Sequence, residues 1–152
     1  MIKIHDKLFV GSIEDLKGKE DKEWAFVHAT KSIYKTIGNP QDYLFHEDEN
    51  RLFLNWIDAE EYEYFDWMEK GVSVVERALD FIERWLPKRK VLIHCDKGES
   101  RGPSLGMTYL AKRVQKSGSY KEADSSFYDV YENYNPGAGI SLFLFLKWDE
   151  IK

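Results

Sequence analysis

The chain has 152 residues with a formal net charge of -5, and 43% of its residues are hydrophobic, 15% aromatic and 32% charged. That length and apolar content suit one compact domain, expected over residues 1–152, with aromatic side chains supplying much of the core. The acidic balance makes nucleic acid and anionic membrane unfavourable partners, because the mean field repels phosphate polymers, while a local basic pocket can still bind a single phosphate.

Cys95 is the single cysteine, so an intrachain disulfide and a multi-thiolate zinc site are excluded. A lone thiol fits a reducing compartment. The opening Met1-Ile2-Lys3-Ile4-His5-Asp6 lacks the apolar stretch of a signal peptide, and the longest apolar run, Leu142 to Leu146, falls far short of the about 20 residues needed to cross a bilayer. A soluble, cytoplasmic protein is expected. The sequence carries no sign of oligomeric state.

In chain order, Lys3-Ile4 and Leu8-Phe9-Val10 flank a polar turn at His5-Asp6-Lys7 and predict a hairpin. Gly11-Ser12 ends it, with Ser12 placed to cap a short helix from Ile13. Trp24 to Ala29 and Leu52 to Ile57 are strand candidates, the second ending at Asp58. Val75, Ala78, Leu79, Ile82 and Trp85 or Leu86 fall at helical spacing. Pro87 stops that helix, and Lys88-Arg89-Lys90 read as a solvated basic turn that complements the helix dipole. Val91-Leu92-Ile93 has the short, β-branched, apolar character of a buried parallel strand. After Arg101 a helical stripe returns at Met107, Leu110, Ala111 and Val114, with Pro103 in the first turn, where its missing N–H costs nothing. Ser117-Gly118-Ser119 ends that helix. Two more helices are expected over Tyr120–Tyr134 and Ser141–Lys152, divided by residues 135–139. Strands first, then strand–loop–helix, then helices, indicate an α/β layered domain. Tyr120, Tyr128, Tyr131 and Tyr134 read as packing residues.

The chemistry concentrates between the strand ending at His94 and the helix beginning near Arg101. Such a loop can turn its backbone N–H groups inward as an anion-binding nest at a positive helix end, and Gly98 permits the backbone conformation that a side chain would resist. A phosphate monoester placed in the nest would have the Cys95 thiol at its base. The planar fork of Arg101 is suited to hold two of its oxygens in a way lysine cannot reproduce. The same electropositive cradle favours the thiolate as nucleophile and stabilises charge on the transferring group.

His94-Cys95, five residues and Arg101 is similar to the signature of the cysteine phosphatases of the protein tyrosine phosphatase superfamily, and Gly98 with Ser100 resembles its dual-specificity branch in particular. Residues 4–12 resemble the opening hairpin of that branch, residues 24–30 its second strand, and Ala78 to Ile82 with Val91 to Cys95 the helix and strand leading into its phosphate loop. The resemblance implies a central mixed, mainly parallel sheet of about five strands flanked by helices. It also implies hydrolysis of phosphomonoesters, those of phosphotyrosine, phosphoserine or phosphothreonine in proteins among them, through a cysteinyl-phosphate and without a cofactor or metal. Asp96, Lys97, Gly98, Glu99, Ser100 and Arg101 would bind the phosphate, and His94 would orient the loop and tune the thiol. His5, His28 and His46 show no ligand spacing.

An aryl or alkyl oxygen leaves poorly without a proton, so a carboxylic acid is required near it. The superfamily supplies an aspartate from a loop N-terminal to the phosphate loop. Asp58 is the expected acid, since Trp56-Ile57-Asp58 is similar to the Trp-Pro-Asp loop of the classical tyrosine phosphatases, with Ile57 replacing proline. Asp66, nearer in sequence to Cys95, is the rival. Gly102 stands where the family usually has a hydroxyl that bonds the sulfur, so a slower second step is expected. Asp96 and Glu99 are anions within an anion-binding loop, and both side chains are expected to point outward. The loop lacks the additional cations that a multiply phosphorylated substrate would require. An RNA 5′-triphosphatase of the same superfamily, a phosphate-binding pseudophosphatase and a rhodanese-like sulfurtransferase are the alternative readings.

Overall fold

In the computed structural model, which describes residues 1–152, six strands share one mixed sheet. They are β1 (Ile2–His5), β2 (Leu8–Ser12), β3 (Trp24–His28), β4 (Phe45–Asp48), β5 (Arg51–Leu54) and β6 (Lys90–Cys95), in the spatial order β1-β2-β6-β3-β5-β4. The three interior pairings are parallel, and the two outer ones are antiparallel. The strand beyond the expected five is β4. Its sequence, Phe-His-Glu-Asp, has no clear alternation because it lies on an edge and is nowhere fully buried.

The apolar run Val91-Leu92-Ile93 belongs to the central strand and is fully buried, with a parallel neighbour on each side, as a two-sided hydrophobic strand should be. Its register sets Cys95 beside Ser12 and His94 beside His28. The carboxyl ends of β2, β3, β5 and β6 therefore open on the same edge of the sheet, the edge where α/β folds place their ligands.

Helices α1 (Lys31–Tyr34), α2 (Tyr62–Phe65), α3 (Gly71–Trp85), α4 (Arg101–Tyr109), α5 (Tyr120–Val130) and α6 (Ala138–Lys147) complete the framework. The inward faces of the four long helices join Val10, Ala25, Val27, Leu52, Leu54, Val91 and Ile93 in one continuous core. The opposite sheet face carries a smaller cluster of Trp24, Phe26 and Leu92, covered by Phe9 and by Leu16 of a 3-10 turn over Ile13–Leu16. No helix is long and apolar enough to cross a membrane.

Several expected elements differ in extent: the helix expected over Ser141–Lys152 is α6 over Ala138–Lys147 followed by a 3-10 turn over Trp148–Glu150, the strand expected over Trp24–Ala29 stops at His28, and two more end early for tertiary reasons. The strand predicted over Leu52–Ile57 stops at Leu54, which pairs with Phe45 at the start of β4 and so is the last residue with a β4 partner, and Asn55 to Glu60 continue without regular structure. The helix predicted over Tyr120–Tyr134 stops at Val130, and Tyr131 turns extended (φ -139°, ψ 100°). That turn carries Tyr131 and Asn135 onto the loop after β6.

Candidate active site

The loop from Asp96 to Ser100 joins the buried end of β6 to the first turn of α4, and nearly every carbonyl in it is claimed. Asp96 O accepts from Ile13 N at 3.3 Å, Glu99 O from Asn135 N at 2.8 Å and Ser100 O from Ser104 N at 2.9 Å. Gly98 O accepts from the Tyr131 hydroxyl at 2.6 Å. Burial, with Cys95, Asp15 and Glu99 nearby, pushes the Tyr131 phenol up to about 12, so it remains a donor. In a planar trans peptide the N–H points opposite to the carbonyl. The N–H groups of Lys97, Glu99, Ser100 and Arg101 therefore point away from these partners, and those of Asp96 through Ser100 donate to no protein acceptor.

Gly98 makes this path possible. Its φ is +72°, and a Cβ there would lie 2.9 Å from the backbone carbon of Gly11. Neither the conformation nor the space admits a side chain.

Arg101 is 7% exposed, and its guanidinium meets protein partners at Nη1 and Nη2 but not at Nε. Nη1 donates to Trp56 O at 2.8 Å, a carbonyl that also accepts from Lys31 N at 2.7 Å. Nε is buried and has no partner. Nη2 lies 3.5 Å from Asp96 Oδ2. The expectation that Asp96 points outward is therefore corrected. Its carboxylate accepts from Thr30 Oγ1 at 2.7 Å and Ser32 Oγ at 3.1 Å, and it flanks Arg101 instead of leaving the site. Partial burial alone would raise this carboxyl, but the two hydroxyl donors and the Arg101 charge hold it below the usual carboxylate range.

Asp58 and Asp66, rivals by sequence, occupy different places. Asp66 Oδ1 accepts from Gly71 N at 3.0 Å and its Oδ2 lies 3.6 Å from Lys147 Nζ, so it caps α3 and ties it to α6. Asp58 lies beside the loop, its Oδ1 accepting from Ser100 Oγ at 3.0 Å, while Ser100 Oγ accepts from Gly137 N at 2.8 Å. A Cβ on Gly137 would meet Asp58 Oδ1 at 2.7 Å, so the glycine supplies room for the carboxylate. The segment carrying Asp58 is held by Trp56, buried against Phe65, and by Tyr64, whose hydroxyl accepts from Ile57 N and donates to Asn55 O, each at 3.0 Å.

Cys95 is 2% exposed and lies at the floor of this arrangement. Cys95, Asp58, Lys97, Glu99, Ser100 and Arg101 line one open cleft of about 490 Å³, and no aromatic side chain borders it. A smaller and more apolar cavity of about 240 Å³ lies behind Trp56 and does not reach Cys95. Gly102 packs against the strand end, where a Cβ would sit 3.1 Å from the His94 carbonyl carbon and 3.2 Å from Cys95 N. His94 is fully buried with Nδ1 3.2 Å from Cys95 O. Sequence reasoning missed three supports: Tyr131, Tyr64 and His28. Tyr64 bonds only seven and nine residues back, but Tyr131 acts through a contact distant in sequence, and only the register of β3 against β6 brings His28 to His94.

No family model matches the sequence. A probable dual specificity protein phosphatase of Dictyostelium discoideum is 32% identical over 108 residues, covering 70% of this chain and 34% of that protein, so the chain spans about a third of the length of its relative. Among solved structures, the Yvh1 phosphatase domain of Chaetomium thermophilum matches with a TM-score of 0.66 at 22% identity, over 98% of this chain and 94% of that one. Human DUSP28 matches with 0.68 at 17% identity, over 98% and 92%. A human tyrosine phosphatase-like serine/threonine/tyrosine-interacting protein matches with 0.65 at 18% identity, over 98% and 95%. With that relative and these neighbours beside the sheet and the loop that follows β6, the chain belongs to the cysteine-based protein tyrosine phosphatase superfamily, in its dual-specificity branch.

Proposed function

We propose that the chain is a cysteine-dependent phosphatase that hydrolyses phosphomonoesters, with phosphoserine, phosphothreonine and phosphotyrosine of proteins as its substrate class. The observation that carries this reading is the one-sided bonding of the loop. Its carbonyls are engaged behind it, while its N–H groups and the buried Nε of Arg101 are left without protein acceptors. Donors converging on a space beside a nucleophile suit a transferring phosphoryl group, whose catalysis is positioning and charge stabilisation.

In the first step the Cys95 thiolate attacks phosphorus in line. The P–S bond forms as the P–O bond to the leaving group breaks, and Asp58 gives that oxygen a proton. Arg101 and the amides of Lys97 to Arg101 hold the remaining oxygens. In the second step Asp58 takes a proton from water, which attacks phosphorus and expels the Cys95 sulfur. Inorganic phosphate leaves with the site restored. His94 supports the Cys95 peptide. Arg101 and Lys97 face Asp58, Asp96 and Glu99 around the cleft, a balance that suits a singly phosphorylated substrate. The absence of an aromatic wall removes a stacking surface for a phenyl ring. A phosphopeptide panel should give a preference for phosphotyrosine of less than about tenfold.

A phosphate-binding role without turnover is the second reading. It is favoured by Gly102, which presents no hydroxyl to the sulfur, and by the Asp96 carboxylate beside Arg101. Hydrolysis of para-nitrophenyl phosphate in EDTA, wild type against Cys95→Ser, separates the two. Phosphate release that vanishes with Cys95→Ser is expected. Phosphopeptide binding with no Cys95-dependent release would replace the enzyme with the binding protein.

A further inference from the structure

Behind the Cys95 loop runs a line of side chains that this mechanism does not use. His28 and His94 are register partners across β3 and β6, and both are completely buried (0% exposed). His28 Nδ1 lies 2.6 Å from His94 Nε2, and His94 Nδ1 lies 3.2 Å from Cys95 O. In the other direction His28 Nε2 lies 2.9 Å from Arg51 Nη1. Arg51 in turn donates from Nε and Nη2 to Asp21 Oδ1 at 3.1 and 2.8 Å, an oxygen that also accepts from Asn50 Nδ2 at 3.1 Å. Phe26 and Phe53 stack on the His28 ring with centroids 5.5 and 4.9 Å away.

The chemistry of the end members gives this line a single direction. A guanidinium has donors and no acceptor, so His28 Nε2 must accept from Arg51. Burial above all, and then the neighbouring Arg51 and the opposed ring, keep His28 neutral. Burial likewise keeps His94 neutral, with Arg101 and Arg51 adding to it against the opposite pull of the Cys95 carbonyl and Asp96. A neutral ring that accepts at Nε2 carries its proton on Nδ1. His28 thus donates from Nδ1 to His94 Nε2, and His94 is left with its proton on Nδ1, facing the Cys95 carbonyl. Were Nε2 of His28 to carry the proton instead, both links would reverse and a His94 lone pair would face that carbonyl.

We propose that Asp21, Arg51 and His28 form a one-way hydrogen-bond relay that fixes the His94 tautomer and so holds the Cys95 peptide in the orientation the phosphate loop requires. Arg51 and His28 are positioning residues, two strands and one strand removed from β6 in the one direction of the sheet. The relay deepens the phosphatase reading and rests on it for its consequence in catalysis, but the tautomers it dictates do not depend on that reading.

Two measurements test it. Long-range proton–nitrogen NMR spectra of the wild-type protein should place the proton on Nδ1 in both His28 and His94. A proton on Nε2 of either ring overturns the relay. The second measurement compares Arg51→Glu, which accepts from His28 and reverses every link, with Arg51→Lys, which can only donate. Alkylation of Cys95 by iodoacetamide at pH 6 should slow about tenfold in Arg51→Glu, the scale of one lost buried hydrogen bond, and stay at the wild-type rate in Arg51→Lys. An unchanged alkylation rate in a folded Arg51→Glu overturns the positioning role. Should that variant fail to fold, His28→Phe keeps the ring stacking while removing both nitrogens, with the same slowing expected and the same unchanged rate as the contrary result. If para-nitrophenyl phosphate is not hydrolysed at all, the phosphatase reading fails, while the tautomers and alkylation rates still decide on the relay.

Discussion

The loop from Asp96 to Ser100 and the segment from Asn55 to Glu60 meet at one cleft but are built differently. The first hangs between a buried strand and a buried helix, with carbonyls bonded to Ile13, Tyr131, Asn135 and Ser104. The second has no regular structure and is held by a tryptophan ring, the Tyr64 hydroxyl and the contact of Asp58 with Ser100. The difference matches the tasks proposed for them. Holding a phosphoryl group demands donors fixed before the substrate arrives, because each one that must reorient loses its advantage over water. Delivering a proton demands one carboxyl group within reach of the leaving oxygen. A defect in the loop should therefore penalise every substrate, whereas a defect in the Asp58 segment should depend on how much help the leaving group needs.

The largest expected effect is at Arg101. Arg101→Lys keeps the charge but loses the fork, and kcat should fall about a thousandfold on aryl and alkyl phosphates alike. A loss under tenfold would mean that Arg101 is not the bidentate clamp. Asp58→Asn should come next, with about a hundredfold loss on phosphoserine peptides, a smaller one on para-nitrophenyl phosphate, and disappearance of the basic limb of the pH–rate profile. A wild-type rate and profile in Asp58→Asn would remove Asp58 from the mechanism. The two tyrosines then set the regions against each other directly. Tyr131→Phe leaves the buried Gly98 carbonyl without its donor and should slow turnover about fivefold on all substrates, for a lost bond of about 1 kcal/mol. Tyr64→Phe loosens only the Asp58 segment, so its similar loss should appear with poor leaving groups and vanish with good ones. Identical substrate dependence in the two variants would dissolve the division of labour.

What the sequence made legible follows the same division. Val91-Leu92-Ile93, the glycine at 98 and the Cys95–Arg101 spacing are local signals, and the strand, the loop and the helix start stand where they were expected. Asp58 also stands at the cleft, although the strand predicted to reach it ends at Leu54, because strand length is set by the partner β4 and not by the apolar residues beyond it. By sequence Tyr131 reads as packing, and its ring is indeed in the core. Its bond to Gly98 exists only because α5 stops at Val130, and no local pattern marks that stop. In the sequence His28 is a strand histidine without ligand spacing. Its meaning depends on which strand is its neighbour and in what register, information that composition and periodicity do not contain. Charge alone predicts that Asp96 points outward. The hydroxyls of Thr30 and Ser32, brought over by the β3–α1 connection, let a carboxylate remain beside Arg101.

The smallest expected effect concerns Gly102, where the two demands on the loop compete within one residue. The missing hydroxyl predicts a slow second step, and on that ground Gly102→Ser should help. The packing predicts the opposite, since a Cβ at 102 would press on His94 and Cys95 backbone atoms at 3.1 to 3.3 Å, so that the end of β6 or the first turn of α4 must give by a few tenths of an ångström. Gly102→Ala carries the crowding without the hydroxyl. It should lower stability by about 1 kcal/mol, on the low side of overpacking costs, and slow turnover severalfold. Gly102→Ser should be equally destabilised yet turn over faster than Gly102→Ala, because only the serine can donate to the sulfur as it leaves phosphorus. Equal rates in the two variants would show that the hydroxyl contributes nothing here and that space at the end of β6 alone decides the residue. A serine variant faster than wild type would show that the strand end yields more easily than the 3.1 Å contact implies.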